Sequence, residues 1–193
     1  MSDDLFSLRG KTILLTGGAG LYGRGLAAML AEAGATLILA ARDVAKLQVV
    51  AGEEMAKGNQ VFAESLDQGD EASIQALHDR IVSRHGPLDG LVNNAVLRPM
   101  KGANGGATQF AESMRVNATG VMLMHHLFGK TMASAGRGSI VNIGSTINSL
   151  VGGVVVGKYT KGGHRYDIRV KLEESTTPLG TGPFSDFITI YGL

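Results

Sequence analysis

The stretch Thr-Gly-Gly-Ala-Gly-Leu-Tyr-Gly, Thr16 to Gly23, stands between an aliphatic run, Thr12 to Leu15, and a segment with helical periodicity. A glycine cluster that follows a strand and opens a helix is the arrangement that holds a dinucleotide's pyrophosphate. The first amides of the helix lack intrahelical acceptors and point at the anion. On this reading Gly17 permits the turn, Gly20 lets the backbone approach the pyrophosphate, and Gly23 lets the helix pack closely on the sheet. Leu21 and Tyr22 contribute backbone at the helix start. A glycine turn with a purely structural job is the alternative.

Outward from this loop, short aliphatic runs alternate with helical-period segments from residue 11 to 145, the pattern of βαβ units around a parallel sheet. Strands are expected near Thr12 to Leu15, Thr36 to Leu39, Gln60 to Ala63, Leu88 to Val92 and Ser139 to Ile143. The helix after the glycine loop carries a stripe of Leu26, Met29, Leu30 and Ala33, and a later one carries Ile74, Leu77 and Ile81. A long helix is expected from about Thr108 to Met132, with Phe110, Met114, Asn117, Val121, Met124, Phe128 and Met132 on roughly one face. Asn117 interrupts that stripe. A buried amide needs partners, so Asn117 is either tied to neighbouring backbone or part of a site. The fold class expected is α/β, a Rossmann-like doubly wound parallel sheet.

After Ser145 the pattern changes to period two. Val154 to Lys161 and His164 to Leu172 flank Gly162-Gly163, the signature of a two-residue β-hairpin. That turn sets Tyr159 opposite Tyr166, Val155 opposite Val170 and Lys158 opposite Asp167. Residues 173 to 185 read as loop, and Phe187 to Tyr191 as a last short strand. The expected division is therefore a dinucleotide-binding domain, 1 to 145, and an appended hairpin and tail, 146 to 193.

Composition bounds the remaining possibilities. The chain has 193 residues, a formal net charge of +1 and no cysteine. Near-neutral charge without a basic run argues against nucleic acid or a membrane surface as partner. Disulfides, thiolate metal sites and thiol nucleophiles are excluded by inventory, and no metal site is expected. The acidic N-terminus, Met-Ser-Asp-Asp, lacks the basic flank and apolar core of a secretory signal, and no apolar run reaches the ~20 residues of a spanning helix. A cytoplasmic protein acting on a small molecule is expected, with homo-oligomerisation open.

Residues 8 to 145 resemble a short-chain dehydrogenase/reductase. The likeness rests on the glycine loop, Asp67 in SLDQGDEAS, Asn93-Asn94-Ala95 after the fourth strand, Asn117 in RVNATG, and Ser145 at the end of GSIVNIGS. It implies that Asp67 meets the adenine, that the backbone from Asn93 to Ala95 lines the cofactor, that Asn117 supports a proton relay and that Ser145 holds the substrate oxygen. Leu21 stands where most short members have glycine, and Val96 replaces the glycine that usually follows Asn-Asn-Ala. An acidic residue at the end of the second strand would accept a ribose 2′-hydroxyl, whereas arginine would meet a 2′-phosphate. Here Ala41 and Arg42 occupy that point, followed by Asp43, so NADP is expected, with NAD as the alternative.

The family's chemistry uses a tyrosine followed four residues later by lysine on one helix. Here Tyr159 is followed at that distance by Gly163, and lysines stand at 158 and 161. Lys-Gly-Gly, Lys161 to Gly163, is similar to the run after the tyrosine in some members, which sets Lys161 at the family lysine and leaves Gly157 where its tyrosine would be. Tyr159 is thus either a packed cross-strand aromatic or the acid. A second resemblance covers Ile147 to Ser175, which is similar to a porter-domain segment of resistance-nodulation-division efflux transporters. Together these features imply a C-terminally truncated or chimeric dehydrogenase chain with impaired turnover, or a dinucleotide-binding scaffold without any.

Overall fold

The computed structural model describes residues 7–99, 106–143, 154–161, 164–172 and 188–192. It divides into two compact units, Met1–Ile143 and Gly144–Leu193. In the first, β1 (Thr12–Thr16), β2 (Thr36–Ala41), β3 (Val61–Ser65), β4 (Gly90–Asn93) and β5 (Ser139–Asn142) form a parallel sheet in the order β3-β2-β1-β4-β5. The helices are α1 (Leu21–Glu32), α2 (Val44–Met55), α3 (Glu71–His85), α4 (Ala107–Met114) and α5 (Val121–Ser134), with a π-helical turn, Arg115–Gly120, joining the last two. The order reverses between β1 and β4. In such a sheet that point leaves a crevice at the carboxyl ends of the strands.

Two apolar layers hold the sheet, as expected for strands buried on both faces. Leu14, Ile38 and Leu91 pack with Ile74, Leu77 and Ile81 of α3 and Met124, Phe128 and Met132 of α5. On the opposite face Leu15, Leu37, Leu39 and Val61 pack with Ala27 and Ala31 of α1 and Leu47 and Val50 of α2. Helix starts follow the local chemistry. Asp43 caps α2 by accepting from the Lys46 amide, and Asp70 caps α3 by accepting from the Ala72 amide. Gly86, at φ +74°, ends α3.

Two helical stripes differ from the sequence expectation. In α1 the buried residues are Gly23, Ala27 and Ala31, whereas Met29 is 68% exposed. Leu26 and Leu30 of the expected stripe pack partly buried against the same core, while the fully buried contact is made by the small residues. In the second stripe, Met124, Phe128 and Met132 are buried as expected, but it does not continue unbroken to Phe110. The i→i+5 bonding of the π turn fits an extra residue into the turn and shifts the buried face to Val116 and Gly120, while α4 buries nothing and Phe110 is 55% exposed.

The second unit holds β6 (Val154–Lys161), β7 (His164–Leu172) and β8 (Ile188–Gly192), antiparallel in that order. Tyr159 pairs with Tyr166 and Lys158 with Asp167, as the hairpin reading requires. Val155 pairs with Arg169 instead of Val170, because a register shift between Val155 and Gly157 inserts one residue into β6. The turn residues Gly162 and Gly163 lie outside the described residues.

Candidate functional site

Four segments converge at the carboxyl ends of adjacent strands: the glycine loop after β1, Arg42 after β2, Asp67 after β3 and Asn93–Ala95 at β4. Gly17 has φ +70°, and a Cβ there would lie 2.9 Å from Ala95 Cα and 3.1 Å from Asn94 Nδ2. Gly20 is the N-cap of α1, and no side chain caps the helix. Its first amides are thus presented to solvent as donors without a side-chain acceptor. A Cβ on Gly23 would collide with the carbonyl oxygen of Gly17, so this glycine is required by the loop's own fold more than by the sheet. Leu21 and Tyr22 are exposed at the first positions of α1.

The loop is locked to β4 by Thr16 and Asn94, which lie in the two motifs but whose side chains motif reasoning gave no role. Buried Thr16 Oγ1 accepts from the amides of Asn94 at 3.1 Å and Ala95 at 2.9 Å. Asn94 Nδ2 returns donors to the carbonyls of Thr16 at 3.0 Å and Gly17 at 3.2 Å. Four hydrogen bonds therefore tie the glycine turn to the neighbouring strand end across the point where strand order reverses. The signal available in sequence was a threonine ending the first strand and a doubled asparagine ending the fourth. Asn93 faces the other way, donating from Nδ2 to Asn142 Oδ1 at 3.0 Å, an oxygen that also lies 3.0 Å from His125 Nε2.

Beyond β2, Asp43 accepts from the Lys46 amide and pairs with the Lys46 ammonium at 2.9 Å. Those contacts hold its carboxyl below the ordinary value. Arg42 is exposed and makes no ion pair or side-chain hydrogen bond among the described residues. A cation is therefore available where the acid is already engaged. Asp67 Oδ1 accepts from the Gly69 amide at 2.9 Å, and its own amide donates to Ser73 Oγ at 2.9 Å, which shapes the loop after β3.

Asn117 lies in the π turn and is tied to backbone. Its Oδ1 accepts from the Leu97 amide at 2.8 Å, and its Nδ2 donates to the Leu97 carbonyl at 2.7 Å and to Ser113 Oγ at 3.0 Å. The side chain thereby pins the segment leaving β4. Ser145 lies outside the described residues. Tyr159 and Lys161 stand two positions apart on strand β6, opposite Tyr166 and His164, and not at i and i+4 on a helix.

With this geometry in view, the comparisons decide the family: the sequence profile of short chain dehydrogenases matches residues 11–163. The chain belongs to the short chain dehydrogenase family. A 2-dehydro-3-deoxy-D-gluconate 5-dehydrogenase of Bacillus subtilis is 30% identical over 164 residues, covering 83% of this chain and 63% of the relative. A gluconate 5-dehydrogenase from Burkholderia cenocepacia, solved with NADP and tartrate, is 31% identical with a TM-score of 0.65, covering 71% of this chain and 54% of that one. A metagenomic short-chain oxidoreductase solved with NADP is also 31% identical, with a TM-score of 0.67, covering 70% and 62%. This short chain dehydrogenase thus spans between about half and two thirds of the length of these relatives. No helix among its described residues is long and apolar enough to cross a membrane.

Proposed function

We propose that this chain is an NADP(H)-dependent oxidoreductase of the short-chain type acting on a small alcohol or carbonyl compound, with impaired turnover. The observation that carries the cofactor reading is the glycine loop held by Thr16 and Asn94 beside an uncapped helix start. The fit is chemical. Unpartnered amides at the start of α1 suit a pyrophosphate, Gly17 has no room for a side chain, and Asp67 keeps a carboxylate oxygen for an adenine amino group. Exposed Arg42, with Asp43 engaged by Lys46, favours a 2′-phosphate over a bare ribose hydroxyl. The bound nicotinamide supplies the hydride.

The protein's own part is to orient and to move a proton. Hydride delivery to a carbonyl leaves an alkoxide, which needs a positioned donor. Asn117 holds the Leu97 segment, and Ser145 is proposed as the residue that holds the substrate oxygen. Tyr159 is the candidate acid, with Lys161 as the candidate cation beside it. On a strand these two stand two positions apart on one face, ~7 Å along the chain, and not at the i and i+4 helical spacing that the family uses. This spacing favours a second reading, a dinucleotide-binding module without turnover. The family match extends through residue 163, across much of the stretch expected above to be similar to an efflux porter; that expectation finds no support in the comparisons, and nothing in the proposal uses a transporter's activity.

The test is an NADPH fluorescence titration followed by a panel of ketones and aldehydes monitored at the cofactor's absorbance, in the parent and in Tyr159→Phe. Saturable binding is expected, with turnover about 10² to 10⁴ below rates ordinary for enzymes. Absence of binding overturns the cofactor reading. Rapid turnover that is lost in Tyr159→Phe overturns the impairment.

A further inference from the structure

Gln68 follows Asp67 and is buried, with its Nε2 donating to the Val116 carbonyl of the π turn at 3.0 Å. Its Oε1 is buried without a hydrogen-bond partner among the described residues. An amide held in this way is costly where an apolar side chain of similar size would not be, so the bond to Val116 is what the position gains from glutamine. Two further contacts press the same surfaces together. A Cβ on Gly120 would collide with the Gln68 carbonyl oxygen, and Arg115 Nη1 donates to the Gly69 carbonyl. On its other side the π turn carries Asn117, which grips both the N–H and the C=O of Leu97.

We propose that Gln68 is a positioning residue that sets the seat of the π turn on the loop after β3 and, through Asn117, the path of the segment leaving β4. A continuous chain of contacts then runs from Asp67, through Gln68, Val116 and Asn117, to Leu97. It links the part of the crevice assigned to adenine with the part nearer the reacting end of the cofactor, an assignment that rests on the function proposed above. Losing the Gln68 donor frees the π turn to rotate, and the grip on Leu97 loosens even though neither of its own partners has changed.

The test begins with the cofactor-free chain, so that it stands whether or not a dinucleotide binds. Hydrogen exchange is followed by NMR in the parent, in Gln68→Met and in Gln68→Glu. In Gln68→Met the protection of the Leu97 amide is expected to fall by about tenfold or more while that of Leu14 and Leu15 in β1 holds. In Gln68→Glu protection is expected to be lost above neutral pH and regained near pH 5, because a buried protonated acid can donate to Val116 and a carboxylate cannot. A role confined to packing would not follow pH in this way. Unchanged protection at Leu97, or an equal loss at Leu97 and in β1, overturns the proposal.

A second arm compares NADP⁺ with 2′,5′-ADP by calorimetry. Gln68→Met is expected to weaken NADP⁺ by a larger factor than the adenine fragment, and an equal loss for both overturns the link to the reacting end. A parent that binds neither compound overturns the dinucleotide reading, while the exchange data still decide the role of Gln68.

Discussion

Gly17 is the residue at which conformation and space make the same demand. Its φ of +70° is one that β-branched residues avoid, and a Cβ would press on Ala95 Cα at 2.9 Å. Gly17→Val is expected to abolish NADPH binding in calorimetric titration of a folded variant. An unchanged affinity would remove the glycine loop from the site. Arg42 tests cofactor choice. With Asp43 held by Lys46, Arg42→Ala is expected to weaken NADPH by about 1.5–3 kcal/mol and to leave NADH almost unaffected. Dissociation constants for the two cofactors in parent and variant check this, and tighter NADH binding by the parent would refute it.

At the scale of the element, α1 shows how packing selects a face that hydropathy does not. Of the expected stripe, Leu26 and Leu30 pack partly buried against the core and Met29 is exposed, while the fully buried residues are Gly23, Ala27 and Ala31. Ala27→Leu is therefore expected to destabilise the protein by about 1–3 kcal/mol through overpacking, whereas Met29→Gln is expected to stay within about 0.5 kcal/mol of the parent. Chemical denaturation of both variants is the measurement, and the reverse order of effects would contradict the packing described here. The π turn makes a related point. Asn117 was recognisable as a polar interruption in an apolar stripe, but the shift of the buried face to Val116 and Gly120 came from backbone bonding that no side-chain periodicity reports.

For the molecule as a whole, Asp89 joins the amino-terminal ends of the strands. It accepts from the Thr12 amide at 3.0 Å and from Arg137 Nε at 2.9 Å, with Lys11 Nζ at 3.5 Å. Burial alone would push its carboxyl up, but the Thr12 amide, Arg137 and Lys11 together outweigh burial and hold it below the usual value. A depressed folded pKa contributes stability above the unfolded value of about 3.9, and that contribution is lost as pH falls through the folded value. Asp89→Asn is accordingly expected to cost about 2 kcal/mol at neutral pH, with the gap to the parent closing below about pH 4. Thermal melts of both proteins at falling pH are the check, and a gap that does not narrow as pH falls below about 4 would count against it.

The sequence by itself determined the doubly wound sheet, the strand-loop-helix at Thr16–Gly23 and the hairpin pairing of Tyr159 with Tyr166, since each is written in local periodicity and turn residues. Only the tertiary structure decided what lies between those elements. Thr16 and Asn94 meet across 78 positions of sequence, Gln68 reaches Val116 across 48, and α1 buries its small residues Gly23, Ala27 and Ala31. A single strand or helix carries a period that its own residues reveal. The partner of a buried amide or hydroxyl is set by how separate elements pack, and no local pattern encodes it.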